Sequence, residues 1–363
     1  MVYKPILLQL ISFFFLGFYL LLSGTKKVFG LQKLISITLF LLLVSCIFLD
    51  RNYYEVTIDL ERYINFYEQT LSVYDVFYSS TAWKGDFLFF LVMPFAHLFR
   101  MGPEQYISFQ TIISIFLLFL GYLRFFKGSR SLAILGLFFV INSSSFYLTQ
   151  GNVLRQGMAS SLFILSISAV SNKKFFLYKV ANLFIHKGSL FSFLSFLTPK
   201  NWRTRLFLTG LSLIIGYFSL QFFLLSLLPL PEFFKNKLEF YSSFERASNN
   251  SIVKLVILLI FNLIFLRYSN NEKISYLRAY QLFFIFSISA ILFFRLDGVF
   301  SRLVLYTDAF VPILTIGMIT KIGDNRLRLI ALVSAITISF LYSIYVFNHP
   351  SILFNLGEYV ELF

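Results

Sequence analysis

Apolar runs of near-membrane length recur along the chain, separated by short polar loops. Residues 5–23, 34–49, 106–123, 132–148, 157–171, 206–228, 252–266, 279–294, 303–320 and 327–346 read as spans. A helix rises about 1.5 Å per residue, so about 20 apolar residues cross a hydrocarbon core of about 30 Å. Two stretches break the rule. Residues 87–99 are short and interrupted by Pro94 and His97, the size of a re-entrant or interfacial helix. Residues 175–198 carry Lys179, His186, Lys187 and Gly188 in mid-run. One continuous helix would leave His186 and Lys187 at bilayer depth, so two half-helices turning at His186–Gly188 are expected. Such a break is tolerated where it lines a cavity or is buried in protein. The pattern predicts an all-α polytopic integral membrane protein with roughly 10–12 transmembrane or re-entrant helices. It reads as a single integral-membrane domain over residues 1–363, with outer-face loops 50–105 and 229–251. The centre of 229–251 suits a short amphipathic surface helix.

Composition agrees: of 363 residues, 58% are hydrophobic and 13% charged. The 50 Phe serve lipid contact and helix packing, and many of the 21 Tyr suit interfacial belts. The formal net charge of +14 would suggest nucleic-acid binding in a soluble protein. Here Lys and Arg sit in short loops, so they read as positive-inside topology and as contacts to membrane lipids, with no nucleic-acid partner. Loops around Lys26–Lys33, Arg124–Arg130, Lys173–Lys174, Lys200–Arg205, Arg267–Arg278 and Lys321–Arg328 are then cytoplasmic. Residues 50–86 carry an acidic excess and fall outside. Treating 87–99 as non-spanning makes this parity work. The single cysteine, Cys46, allows no intrachain disulfide and no cysteine metal cluster. Lys26 and Lys27 follow the first apolar run where a cleavage site would lie, so that run reads as a retained span.

The polar residues of the outer face draw attention next. Gly151-Asn152-Val153-Leu154-Arg155-Gln156-Gly157 joins two apolar runs, and small residues continue through Ala159, Ser160 and Ser161. Small residues let helices approach closely, so Arg155 is expected to face protein or a polar cavity. An inward arginine at a helix entrance suits an anionic phosphate. The same face collects Asp59, Tyr63, Asn152, Gln156, His186, Arg295, Asp297, Arg302 and Tyr306. Three arginines converging outside would hold a polyanion such as pyrophosphate, because guanidinium matches phosphate oxygens bidentately. Each residue also has a plainer role. Asp59 suits a helix cap, His186 a packed histidine, Tyr306 an interfacial belt, and Asp297 an ion pair orienting Arg295 or Arg302. Asp308 is expected to be paired inside the bundle. His97 and His349 read as interfacial residues without an evident partner. The three histidines lack metal spacing, so no metal site is expected.

Asp59…Tyr63, Asn152-x-x-Arg155-Gln156-x-x-Ala159, Ala181-x-x-Phe184-x-His186-Lys187-x-Ser189 and Arg302-Leu303-x-x-Tyr306 occur in this order. The series resembles the bacterial O-antigen and exopolysaccharide polymerases of the Wzy and EpsG type, over roughly residues 1–320. The Gly that often precedes the Asp in that family is absent before Asp59, where Thr57-Ile58 stand. The resemblance implies a GT-C-like helical bundle in the bacterial inner membrane. It implies a glycosyltransferase that joins undecaprenyl-pyrophosphate-linked oligosaccharide repeat units on the periplasmic side. His186 and Asp59 become candidate bases. Arg155, Gln156, Asn152, Arg302, Arg295, Tyr306, Tyr63 and Asp297 become candidate substrate ligands. No cofactor is required, and a flippase and a chain-length regulator of the same pathway are implied partners.

The rival reading is a transporter or flippase of the lipid-linked unit. Transporters tend to show internal repeats with broken helices in matching positions and a midplane site. The polar residues here gather on one face instead. A membrane acyltransferase would need a histidine beside a carboxylate, whereas His186 has Lys187 beside it.

Overall fold

The computed structural model describes residues 2–3, 58–78, 86–127, 129–218, 249–266, 273–347 and 359–360. The expected spans 5–23 and 34–49, nearly all of loop 229–251 and His349 lie outside the described residues. The described residues are overwhelmingly helical. A two-residue antiparallel ladder pairs Val2–Tyr3 with Tyr359–Val360. Among the described residues four helices are long and apolar enough to cross a membrane: Pro103–Phe125, Ile274–Leu292, Gly298–Ile319 and Asn325–Tyr342. The fold is therefore an all-α polytopic membrane protein.

The chain divides into two compact units, one of residues 1–187 with 315–363 and one of residues 188–314. The first begins with α1 (Ile58–Gln69), α2 (Val73–Tyr78) and α3 (Phe87–Leu98). Then come α4 (Pro103–Phe125), α5 (Arg130–Ile141), α6 (Ser144–Gly151), α7 (Leu154–Ile167) and α8 (Asn172–Ile185). The second unit holds most of a 3-10 helix (Lys187–Leu197), α9 (Trp202–Tyr217), α10 (Asn249–Phe265), α11 (Ile274–Leu292) and most of α12 (Asp297–Ile319). Helix α13 (Asn325–Phe347) belongs to the first unit.

Helix α3 has 12 residues, about 18 Å at helical rise, short of a hydrocarbon core of about 30 Å. Its end explains why it stops. Arg100 N–H donates to His97 O at 2.9 Å and Met101 N–H to Ala96 O at 3.1 Å. Arg100 adopts φ 54°. This left-handed cap satisfies the last carbonyls and is usually built on glycine. Pro103 then opens α4, where its missing N–H costs nothing.

Residues 132–148 read as one span; in the structure they form α5 and α6, bent by 78°, a broken span or a re-entrant loop. The cause is local. Asn142 Nδ2 donates to Phe138 O at 2.8 Å, and Ser143 caps the new helix by accepting from Phe146 N–H at 3.3 Å. Short polar side chains that bond nearby backbone compete with helix continuation.

Helix α7 is the pivot of the first unit, packed against α4, α6 and α8. Its small residues work as expected. Gly157 lies so close to α6 that a Cβ would collide with the Thr149 carbonyl. Gly121 of α4 faces Leu165, where a Cβ would fall 2.8 Å from the backbone nitrogen. Ser161 and Ser114 hydroxyls bond between α7 and α4 at 3.1 Å. In the second unit Gly216 of α9 sits equally close to the Ile291 carbonyl of α11.

The expected break in 175–198 is present. Helix α8 ends at Ile185, His186 is extended at φ −151° and ψ 117°, and the 3-10 helix begins at Lys187. His186 is buried. A break leaves N–H groups with no intrahelical partner, and that need shapes the site.

Candidate active site

Arg155 occupies the first turn of α7. Only Asn152 and Val153 separate it from α6, so its backbone is fixed from both sides. Helix α1 brings Tyr63, which is fully buried one turn after Asp59. Asp86 stands immediately before α3 and is buried. The break after α8 brings the Lys187 N–H.

These groups meet around one guanidinium. Arg155 Nη1 donates to Asp86 Oδ2 in a buried ion pair. Arg155 Nε donates to the Tyr63 hydroxyl at 3.2 Å. The Lys187 N–H donates to Asp86 Oδ1 at 2.9 Å. Asp86 thus holds Arg155 with one oxygen and answers the orphan N–H of the helix break with the other. The Arg155 guanidinium also lies over the rings of Tyr63 and Phe90, at 5.4 and 5.8 Å from their centroids. A buried ion pair is tolerated when further hydrogen bonds complete it, and removing one partner strands a charge. Leu60, Tyr67, Phe89, Phe90 and Leu154 supply the apolar shell.

Burial raises the pKa of Tyr63 above the ordinary phenol value; Arg155 opposes the shift, and Asp59 and Asp86 add to it. Tyr63 is therefore a neutral phenol throughout the physiological range, accepting from Arg155 with its own proton still available to donate. The side-chain hydrogen bonds of Arg155 run through Nη1 and Nε. Guanidinium groups match phosphate oxygens with short, charge-assisted hydrogen bonds.

The candidate residues fall into two groups. Tyr63, Arg155, Asn152, Gln156 and His186 all lie at or beside this cluster, Gln156 and His186 buried and Asn152 half-buried. Asp59 sits in the first turn of α1, 3.7 Å from Arg62, near enough to act electrostatically on Tyr63. Arg295, Asp297, Arg302 and Tyr306 belong to the second unit. There Arg295 is exposed with its guanidinium 5.4 Å from the Tyr217 ring centroid. Arg302 is half-buried, and Asp297 opens α12. Tyr306 is buried and stacked on Phe286 at 4.6 Å.

Asp86 is the residue that sequence reasoning missed. It was one acid among several in the polar stretch 50–86. A signal existed, since Gly85 directly precedes Asp86, the Gly-Asp pairing found wanting at Thr57-Ile58-Asp59. A second correction concerns His97. Its Nε2 lies 2.8 Å from Tyr67 O and its ring stacks on Tyr67 at 4.0 Å, so it has a partner inside the protein.

Residues 34–359, nearly the whole chain, match the family model described as the EpsG family. The chain belongs to the EpsG family. EpsG is a Wzy-type polymerase family, so the buried Asp86–Arg155–Tyr63 cluster sits in a polysaccharide polymerase of the membrane. The match takes in α1, α3, α7, the break at His186 and α12, and therefore both groups of candidate residues. No curated protein and no solved structure matches the chain.

Proposed function

We propose that this EpsG-family protein joins undecaprenyl-pyrophosphate-linked oligosaccharide repeat units at the outer face of the bacterial inner membrane, as an O-antigen or related surface polysaccharide polymerase. The observation that carries the reading is the half-buried guanidinium of Arg155, held in place by Asp86 and Tyr63. An acceptor hydroxyl attacks the anomeric carbon of the donor sugar. The bond from that carbon to the pyrophosphate oxygen breaks, and the lipid pyrophosphate leaves with the bonding electrons. Negative charge grows on the leaving oxygen, where Arg155 stabilises it. One such preorganised donor is worth about 3–4 kcal/mol of barrier.

The acceptor's proton goes to His186 or Asp59. An imidazole can take up a proton near neutral pH in general, and the break sets His186 directly before the Lys187 N–H that binds Asp86. Asp86 itself is a positioning residue, because both of its oxygens are engaged by Arg155 and Lys187. Tyr63 and Gln156 offer hydrogen bonds to sugar or phosphate oxygens.

The test is the Arg155→Ala variant, with membrane insertion checked, in cells carrying the rest of the pathway. Single lipid-linked repeat units should accumulate and polymer should vanish. Arg155→Lys should restore little, because a point charge does not reproduce a planar fork. Long polymer from Arg155→Ala would remove the proposal.

A further inference from the structure

A second feature of the first unit lies away from this cluster. An apolar cavity of about 140 Å³ is lined by Leu132 and Leu135 of α5, Ile316 and Ile319 of α12, and Leu332 and Ile336 of α13. Ser131, Thr320 and Arg328 close one end. Helix α13 is apolar and long enough to span, and none of its spanning window is buried within the protein, so the cavity opens where lipid tails would run.

The closed end is strongly basic. The cavity brings the start of α5 against the segment from Thr320 to Arg328. Those two segments carry Arg130, Lys321, Arg326 and Arg328, against Asp324 alone. Asp324 is already engaged as the cap of α13, accepting from the N–H of Arg326 at 2.7 Å and of Leu327 at 3.2 Å. Arg328 is held in place: its Nε and Nη2 both donate to Ile322 O, at 3.0 and 2.8 Å. That grip fixes one edge of a half-buried guanidinium at the cavity mouth. A fixed guanidinium above an apolar slot has the shape of an amphiphile with an anionic head.

We propose that this groove is a binding site for an anionic glycerophospholipid, with an acyl chain against Leu135, Ile316 and Leu332 and the phosphate at Arg328. Two independent observations support it, the apolar cavity at the lipid-facing side and the basic rim that complements a phosphate. It does not depend on the polymerase reading, since none of these residues touches the Arg155 cluster. A basic residue near an anionic headgroup favours it by roughly fivefold, so Arg328 gives a preference of roughly fivefold over a zwitterionic lipid.

The experiment is native mass spectrometry of the full chain, released from micelles holding equal phosphatidylglycerol and phosphatidylethanolamine. The wild-type protein should retain phosphatidylglycerol preferentially. Arg328→Gln should bring the two lipids close to equal retention, and Leu135→Trp should lower retention of both. Each variant is checked for an unchanged melting temperature, so that unfolding is separated from loss of the site. Equal retention by the wild type would overturn the proposal, and so would an unchanged preference in Arg328→Gln. Added polyprenyl phosphate should leave phosphatidylglycerol in place; its displacement would assign the groove to an isoprenoid and overturn the phospholipid.

Discussion

Two arginines, the half-buried Arg155 of the first unit and the buried Arg205 of the second, solve the same problem in different ways. Arg155 is met by a carboxylate, a phenol and two aromatic faces. Arg205 of α9 is met by main-chain carbonyls. Its Nε donates to Pro199 O at 2.7 Å and its Nη1 to Leu266 O at 3.1 Å, with its guanidinium 4.6 Å from the Tyr280 ring centroid. Carbonyls near helix ends need donors, and Arg205 supplies them, tying the segment before α9 to the end of α10 and to α11. It acts as a staple. Arg155 closes no helix end. Its ionic partner is held in turn by the Lys187 N–H, so the guanidinium is oriented as well as neutralised. The contrast teaches that burial of an arginine does not mark function. The kind of partner decides whether the side chain ties backbone segments together or is itself held in one orientation.

The comparison breaks most visibly on Arg205. Arg205→Met keeps the aliphatic bulk and strands two carbonyls, at about 1–3 kcal/mol each. The melting temperature should fall markedly, while turnover per folded molecule stays near the wild-type value. An inactive but fully stable Arg205→Met protein would place Arg205 in the machinery and dissolve the contrast.

A matched glycine pair sharpens it at a smaller scale. Gly157→Ala and Gly216→Ala each drive a methyl group into a backbone carbonyl, and such overpacking costs about 1–3 kcal/mol. Gly157 lies two residues from Arg155, whereas Gly216 lies in the unit held by Arg205. At matched folded protein, Gly157→Ala should lose turnover roughly tenfold or more, since misplacement by about 1 Å costs heavily. Gly216→Ala should lower thermal stability only. Comparable turnover in the two variants would contradict the assignment.

The smallest expected effect is a gain. Arg100 holds φ 54° at the end of α3, a conformation that costs a non-glycine residue about 1–2 kcal/mol. Arg100→Gly should raise stability by about 1 kcal/mol, partly offset by glycine's entropy when unfolded. Thermal melting in one detergent measures it. Polymerisation should be unchanged, because the cap lies beyond the far end of α3 from Asp86.

Much of this was legible in the chain where the signal was local. The break at His186 announced itself through polar residues in mid-run, and the shortness of α3 through the extent of 87–99. The inward face of Arg155 followed from the small residues after it. The signals that failed were long-range or averaged away. Asp86 and its partner are 69 positions apart, and no pattern in residues 50–86 singles out that acid apart from Gly85. Arg205 read as one more cytoplasmic loop charge beside Arg203, since its carbonyl partners carry no side-chain signature. The bend at Asn142-Ser143 was lost because two short polar residues barely change the apolarity of a long window, yet both bond backbone and end the helix.

The most direct test of the central claim replaces the ion pair by neutral isosteres. Asp86→Asn and Arg155→Gln are made singly and together, and each purified protein is measured for melting temperature and for polymerisation of lipid-linked repeat units. Either single variant strands a buried charge at about 3–5 kcal/mol, whereas removing both charges is close to neutral for stability. If Arg155 acts on the leaving pyrophosphate, the double variant regains the melting temperature and still makes no polymer. If the double variant regains both stability and polymerisation, the pair is structural, and the account of this site is wrong.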